Sequence, residues 1–196
     1  HSAITGSFLT SIGASAICFV GDPAGVRSPS FRYEEFVTLD KMDRAKGPLN
    51  ENHPAYCEVY NNLICNIGLF EKQITGVELS MCRNITISHN SIYDTPRAGI
   101  NISEGTWGGH IIEHNDIFNT VKETGDHGSI NSWGRDRFWH PDYNVMAQIV
   151  CEHPALILAD IVNPIIIRHN RLRCDRGWDI DLDDGSSNYQ IYDNLC

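Results

Sequence analysis

A short phrase recurs through this chain and constrains its fold more than any other feature. The full copies are NITISHNSI (84–92), GHIIEHNDI (109–117) and NPIIIRHNRL (163–172), and YQIYDNL (189–195) is a truncated copy. In each copy an alternating apolar stretch is followed by a polar residue, an Asn and another apolar residue. Self-similarity at a period of about 20–50 residues is typical of repeat architectures.

The Asn of each phrase predicts a stacked ladder. The four copies place it at intervals of 25, 55 and 24 residues, so the middle interval is about two periods, and a looser copy at 57–64 lies 28 residues further upstream. Asn tolerates the backbone angles of sharp turns, and stacked amides hydrogen-bond along the axis of a repeat. The predicted rungs are Asn62, Asn90, Asn115, Asn170 and Asn194.

The strand signals in each unit predict an all-β fold. Apolar residues within the phrases recur with period 2, which indicates strands. A second strand-like run follows about ten residues after each Asn, as GVELS (76–80), GINIS (99–103), GSINS (128–132) and DIDLD (179–183). A unit of 24–25 residues with several short strands and no amphipathic helix predicts one coil of a parallel β-helix. The Leu spacing of leucine-rich repeats is absent.

The departures from the repeat predict the domain organisation. We expect residues 1–196 to form one β-helix domain that is a segment of a longer solenoid, because the last copy stops in mid-coil and natural solenoids cap such edges. Residues 21–53 are rich in Pro, Gly and charge and predict an inserted loop. Residues 137–162 lack the Asn signature, so they are either one degenerate coil or a loop with a short helical piece; two prolines favour the irregular excursion.

Composition excludes several partners. The net charge of −10 argues against nucleic acid or an anionic membrane, and no stretch approaches a membrane span. The seven cysteines form no CxxC pair and predict neither a disulfide framework nor a zinc site. The sequence carries no signal for an oligomeric state.

Aligning the second strands of the units predicts a polar stripe on the surface. Val77, Ile100, Ile130 and Ile180 then point inward. The outward residues form one column of Glu78, Asn101, Asn131 and Asp181, and a second column of Ser80, Ser103, Trp133 and Asp183. Because coils stack about 4.8 Å apart, these columns predict a continuous stripe with one aromatic side chain.

Three segments around this stripe concentrate chemistry, at 94–110, 123–139 and 178–188. In the last of them Asp179, Asp181 and Asp183 share one strand face, where like charges repel unless a cation, an Arg or a substrate offsets them. An acidic turn at Asp184 and Gly185 is an alternative, and calcium is another, although the spacing differs from an EF-hand loop. Tryptophans beside glycines and carboxylates are either core residues or platforms for sugar rings.

The phrases TPRAGINISEGTWGGHIIEHNDIFNT, ETGDHGSINSWGRDRFW and GWDIDLDDGSSNYQIYDN resemble right-handed parallel β-helix proteins of polysaccharide-degrading bacteria, with glycoside hydrolase family 141 the nearest group. The resemblance covers 55–196 and, loosely, 1–20. It implies an extracytoplasmic enzyme, longer than this chain, that acts on plant or host glycans. Such β-helices include hydrolases, lyases and epimerases, so the fold alone does not determine the activity.

Glycoside hydrolysis requires two carboxyl groups, one protonated and one ionised. We expect Asp181 or Asp183 to act as nucleophile or general base. Asp126 is the expected general acid, with Asp136 as its alternative and with His127 and Arg135 setting its charge. The expected substrate-binding residues are Asn101, Asn131, Trp133, Arg135, Trp107, Arg97, Glu104 and Asp184. No cofactor is expected, apart from the calcium alternative, and the carboxyl separation decides between retention and inversion.

Two other functions remain open at this point. In a polysaccharide lyase or epimerase His127 is the base and Arg97 or Arg135 neutralises a uronate carboxylate, although a strongly acidic site argues against an anionic substrate unless calcium bridges the two. In a non-catalytic glycan-binding protein no carboxylates need to converge, so separation of Asp126 from Asp181 favours that reading.

Overall fold

The computed structural model describes residues 1–27, 32–104 and 107–196. It consists mostly of strands in three parallel sheets with few helices, which is an all-β, solenoid-like fold. The chain visits the three sheets in turn, so three consecutive strands, one in each sheet, make one coil. Every strand pairs with the equivalent strand of the neighbouring coil.

The strands of each sheet are as follows. The first sheet contains β1 (Ala3–Thr5), β4 (Glu58–Tyr60), β7 (Thr86–Ser88), β10 (Ile111–Glu113), β13 (Ile165–Arg168) and β16 (Tyr189–Tyr192). The second contains β2 (Phe8–Ile12), β5 (Leu63–Ile67), β8 (Ser91–Tyr93), β11 (Asp116–Phe118) and β14 (Arg171–Arg173). The third contains β3 (Ile17–Val20), β6 (Val77–Ser80), β9 (Ile100–Ile102), β12 (Gly128–Ser132) and β15 (Trp178–Leu182).

The apolar residues of the repeat form the core between the three sheets. In the first sheet the inward residues stand directly opposite one another and are fully buried: Val59, Ile87, Ile112 and Ile167. The second and third sheets contribute equivalent columns that contain Ile92 and Ile100. Burying one such side chain contributes about 1.5–3 kcal/mol, so the stacked columns account for the register of the coils.

The predicted Asn ladder is present at the turn between the first and second sheets. Asn90 is typical of its rungs: its backbone N–H and its Nδ2 both donate to Oδ1 of Asn115, at 3.0 and 2.9 Å. The residue before each ladder Asn has a left-handed backbone, as at His89, where φ is 59°. Each ladder Asn therefore satisfies backbone groups that the sharp turn leaves without a strand partner. We call Asn62, Asn90, Asn115, Asn170 and Asn194 the Asn ladder.

The 55-residue interval in the ladder spans one coil, not two. The Nδ2 of Asn115 donates directly to Oδ1 of Asn170 at 3.0 Å, and β10 pairs directly with β13. The interval is therefore about two periods long in residues but adds no second coil, and the alternative of a degenerate coil at 137–162 is wrong. The additional residues leave the solenoid after β12 and return at β13.

Two long connections lie outside the coils. Residues 21–53 join β3 to the strand β4 of the next coil, and their described part contains a 3-10 turn at Pro23–Gly25 and no strand. The connection from β12 to β13 contains α1 (Tyr143–Glu152), a 3-10 turn at Pro154–Leu156 and α2 (Ile157–Asp160). In the described part of the chain, no helix is long and apolar enough to cross a membrane.

These two connections pack against each other in a second, smaller core. Met42 of the first connection lies in one cluster with Phe138, Ile149 and Leu156 of the second. The fully buried Arg137 pairs with Asp160 at 2.9 Å and donates to the backbone carbonyls of residues 43 and 45. The start of the second connection, next to the third sheet, is thereby held in a fixed position.

Candidate active site

The outer face of the third sheet carries the polar column that the repeat predicted. Glu78 stands opposite Asn101, Asn101 opposite Asn131, and Asn131 opposite Asp181. We call these four residues the cleft column. Alternation along each strand sends their apolar neighbours, such as Ile130, into the core.

Beside this column lies an open cleft of about 190 Å³. All the residues that line it belong to the set predicted from the sequence: Arg97, His127, Asn131, Trp133, Arg135, Asp183 and Asp184. They come from both ends of β12, from the connection before β9 and from the turn after β15. The repeat therefore brings together residues that are up to 87 positions apart in the sequence.

The turn after β15 is held closely against the end of β12. Asp184 and Gly185 have positive φ values of 34° and 82°, so they form the sharp bend that their sequence indicates. A Cβ on Gly185 would lie 2.7 Å from the carbonyl oxygen of Gly134. This packing aligns Asp184 with Arg135, and the two form an ion pair at 3.1 Å.

Asp181 is a carboxyl group beside the cleft whose environment favours the protonated form. Burial is the largest cause of its raised pKa, and the charges of Asp183 and Asp126 raise it further, while Arg97 opposes them. Asp126 is itself exposed, with a left-handed backbone at φ 60°, and does not line the cleft. Asp126 thus influences Asp181 through its charge and not as a residue of the cleft lining.

His127 lines the cleft as a half-buried imidazole. Burial is the main cause of its lowered pKa, and the charge of Arg97 lowers it further, against the opposing effect of Asp126 and Asp183. Its Nδ1 lies 3.1 Å from the Thr124 hydroxyl. A neutral imidazole in this position can accept a proton.

Arg97 is a buried cation at the cleft. Only 8% of the residue is exposed, and burial lowers the pKa of its guanidinium, while the charges of Glu78 and Asp181 raise it. Within the described residues the guanidinium forms no hydrogen bond and no ion pair, and its Nε is buried without a partner.

Glu78 is a residue to which the sequence assigned a place in the column but no role. Its carboxylate accepts hydrogen bonds from Asn101, Ser103 and Thr75, and burial nevertheless raises its pKa. The sequence feature that could have indicated this role is a Glu in the same outward column as two Asn residues, because the amides can donate to its carboxylate.

Side-chain amides continue from Glu78 along the cleft column. Nδ2 of Asn131 donates to Oδ1 of Asn101 at 3.0 Å, Nδ2 of Asn101 donates to Glu78 at 3.0 Å, and the Gly128 N–H donates to Oδ1 of Asn131. Asn101 is 2% exposed and does not line the cleft. The expectation that Asn101 binds a sugar is therefore wrong: its amide orients Asn131, which does line the cleft.

Trp133 lines the cleft with one face covered. The guanidinium of Arg135 lies 4.8 Å from the centre of the Trp133 ring and 5.8 Å from that of Tyr33. Tyr33 belongs to the connection at 21–53, so that insertion contributes to the surroundings of the cleft. Any sugar that stacks on Trp133 must use the face opposite Arg135.

Three predicted site residues lie elsewhere. Trp107 is 2% exposed and packs on His53 at 4.6 Å, so the stacking role expected for it is wrong. Asp136 is buried where it accepts a hydrogen bond from the Ser187 hydroxyl, and burial together with the charge of Asp160 raises its pKa. It therefore cannot serve as the alternative acid in the cleft. Glu104 is half-buried outside the lining, and burial raises its pKa.

A metal site and the comparisons with known proteins add no further assignment. In residues 1–27, 32–104 and 107–196 no group of three or more His, Cys, Asp or Glu side chains is placed to hold a metal ion, and calcium stays a prediction. The chain matches no protein-family model, no curated protein and no solved structure.

Proposed function

We propose that this chain is a right-handed parallel β-helix and that its cleft is the active site of a glycoside hydrolase that acts on a complex plant or host polysaccharide outside the cytoplasm. One observation carries the proposal: Asp181, whose pKa is raised, stands opposite the cleft residue Asn131 and two residues from Asp183, which lines the cleft. Asp181 itself lies at the edge of the cleft, outside its lining. Glycoside hydrolysis needs one protonated and one ionised carboxyl group.

The different environments of the two carboxyl groups support different roles for them. Asp181 is the general acid because burial and like charges favour its protonated form. Asp183, which is exposed, is the nucleophile or the general base. The sequence suggested Asp126 as the general acid and Asp181 as a possible nucleophile or base. In this proposal Asp181 is the general acid, and the charge of Asp126 helps to keep it protonated.

Other cleft residues support binding of a polyhydroxylated substrate. Asn131 is oriented by hydrogen bonds from the Gly128 N–H and to Asn101. The ion pair of Arg135 and Asp184 adds further donors and acceptors to the lining. Sugar hydroxyls are both donors and acceptors, so such fixed pairs suit them.

Hydrolysis of a panel of plant and host polysaccharides, followed by release of reducing ends, tests the proposal. Asp181→Asn and Asp183→Asn should each lower the rate by roughly 10²–10⁴-fold, the range for a lost acid–base group. Asp179→Asn is the matched control, because Asp179 lies on the same strand but its Oδ1 accepts from the Cys174 N–H, away from the lining. Full activity in both the Asp181 and the Asp183 variant would overturn the proposal.

A second candidate, a polysaccharide lyase, is favoured by His127 alone. Its lowered pKa leaves a neutral base in the cleft, close enough to Arg97 for that charge to act on it. A lyase releases an unsaturated sugar that absorbs in the ultraviolet, whereas a hydrolase does not. Absorbance that grows with cleavage and is lost in His127→Asn would replace the hydrolase by the lyase.

A further inference from the structure

Arg97 differs from the other deeply buried arginine of this molecule. Arg137, 1% exposed, has an ion pair with Asp160 and donates to two backbone carbonyls. Arg97, 8% exposed, has neither among the described residues. An unpartnered buried charge is costly, so the absence of protein partners for Arg97 indicates that its partner comes from outside.

The neighbouring carboxyl groups do not supply that partner. Glu78 accepts its hydrogen bonds from Asn101, Ser103 and Thr75, and Arg97 is not among the donors. Asp181 acts on Arg97 through its charge without a hydrogen bond. The guanidinium therefore retains its donors, and Arg97 is part of the lining of the cleft.

The charge of the cleft is also less negative than its acidic residues suggest. Asp184 is offset by its ion pair with Arg135. Burial raises the pKa of Glu78 and of Asp181, which favours their neutral forms. The number of acidic residues in the sequence argued against an anionic substrate, and these pairings remove that objection.

We propose that Arg97 recognises an anionic sugar, through the carboxylate of a uronic acid or a sulfate ester presented in the same way. The inference rests on the proposed function only in taking the cleft as a glycan site. Guanidinium matches such oxyanions with two parallel hydrogen bonds, a fit that a lysine ammonium does not provide. Because Arg97 lines the cleft, the acidic group of that sugar lies within the cleft itself.

Calorimetric binding to the full chain tests this selectivity with three matched pairs of oligosaccharides. The pairs are galacturonate and its methyl ester, chondroitin and its carboxyl-reduced form, and sulfated and unsulfated galactan. The wild type should bind at least one anionic member roughly 10–100-fold more tightly than its neutral counterpart, the effect of one charged hydrogen-bonded pair. The pair that shows the preference distinguishes carboxylate from sulfate. Absence of preference in all three pairs overturns the inference.

Variants separate recognition from folding. Arg97→Gln should abolish the preference and leave binding of the neutral counterpart unchanged, while Arg97→Lys should keep only part of it. The free energy of unfolding of Arg97→Gln should not fall, because no protein contact of the guanidinium is lost; a fall, with selectivity retained, would assign Arg97 a structural role. Arg171→Gln is the control, since Arg171 pairs with Asp116 on the second sheet.

The result is independent of whether hydrolysis occurs. If the anionic member binds preferentially through Arg97 but no polysaccharide is cleaved, the inference stands and the hydrolase proposal fails. If polysaccharides are cleaved through Asp181 with the same selectivity in wild type and Arg97→Gln, the hydrolase proposal stands and the inference fails.

Discussion

The Asn ladder and the cleft column are both stacks of polar side chains along the solenoid, and they end differently. In the ladder every rung is Asn, and each amide donates to the next rung toward Asn194. In the cleft column the donors point the other way, from Asn131 through Asn101 to Glu78. No hydrogen bond continues the column from Asn131 to Asp181 within the described residues.

The difference shows how one repeat produces a self-satisfied stack at one place and, among the described residues, a column with an unpaired end at another. An Asn has both a donor and an acceptor, so a run of identical rungs satisfies itself. A carboxylate has only acceptors, so its neighbour must face it with a donor, and the amide of Asn131 is directed toward Asn101 instead. Asp181 is thus left at the open end of the column, with a raised pKa.

The largest expected effect comes from breaking the ladder. Asn115→Ala removes the acceptor of both donors of Asn90 and the donor to the Ile87 carbonyl. Leaving these buried groups unsatisfied should lower the free energy of unfolding by about 3–5 kcal/mol, measured in urea. Asn144→Ala, at an exposed site in α1, is the control and should change it by less than about 0.5 kcal/mol. Equal losses would show that the ladder amides carry no special weight.

Breaking the cleft column should affect activity more than stability. Asn131→Ala removes the amide that faces the cleft and frees the Asn101 acceptor. We expect a loss of kcat/KM of roughly 10–100-fold with a stability cost of about 1–2 kcal/mol. The ladder variant, assayed well below its unfolding temperature, should show the opposite balance. An Asn131→Ala protein with unchanged turnover would make the column a purely structural feature.

Asp136 tests the effect of burial alone on a carboxyl group, because it is buried but lies outside both the Asn ladder and the cleft column. Its folded-state pKa is raised, so the folded protein binds more protons than the unfolded chain as pH rises above the pKa of the unfolded state. Stability is therefore lost with rising pH through this window. Denaturation followed against pH should show that decline in the wild type and a flatter curve in Asp136→Asn. The activity of that variant should be unchanged.

The smallest expected effect sharpens the assignment of Asp181. The charge of Asp126 raises the pKa of Asp181, so Asp126→Asn should lower it. Because the acid works when protonated, the alkaline limb of the kcat/KM profile should move to lower pH in this variant. Loss of all activity would instead make Asp126 a catalytic partner, as its sequence context first suggested.

The register of the site could be predicted from the sequence because a sheet constrains it. A slip of one residue would expose Ile100 and bury Asn101 in the core, so the apolar pattern alone places Glu78, Asn101, Asn131 and Asp181 in one column. The direction of side chains in the connections has no such constraint. Trp107 and Asp136 lie in such connections. Their burial depends on contacts with His53 and Ser187, which no local sequence pattern predicts.

The hydrogen-bond partners of the individual site residues could not be predicted from the sequence either. The sequence places Asn101 and Arg97 near one another, but which amide is satisfied and which cation is not depends on individual side-chain geometry. The 55-residue interval left two alternatives open for a related reason: a period counts residues, whereas the ladder requires only that Asn115 and Asn170 meet.

The direct contact of Asn115 with Asn170 has a consequence for how such a chain can diversify. Since contacts between adjacent rungs align the coils, the length of the connection between two rungs is only weakly constrained. Doubling the length of a flexible loop costs only about 0.6 kcal/mol. The connection leaves immediately after Ser132, so Trp133 and Arg135 lie at its base. Replacing this connection by another would change one wall of the cleft without changing the register of the stacked coils. New substrate specificities can therefore arise at this connection while the fold is kept.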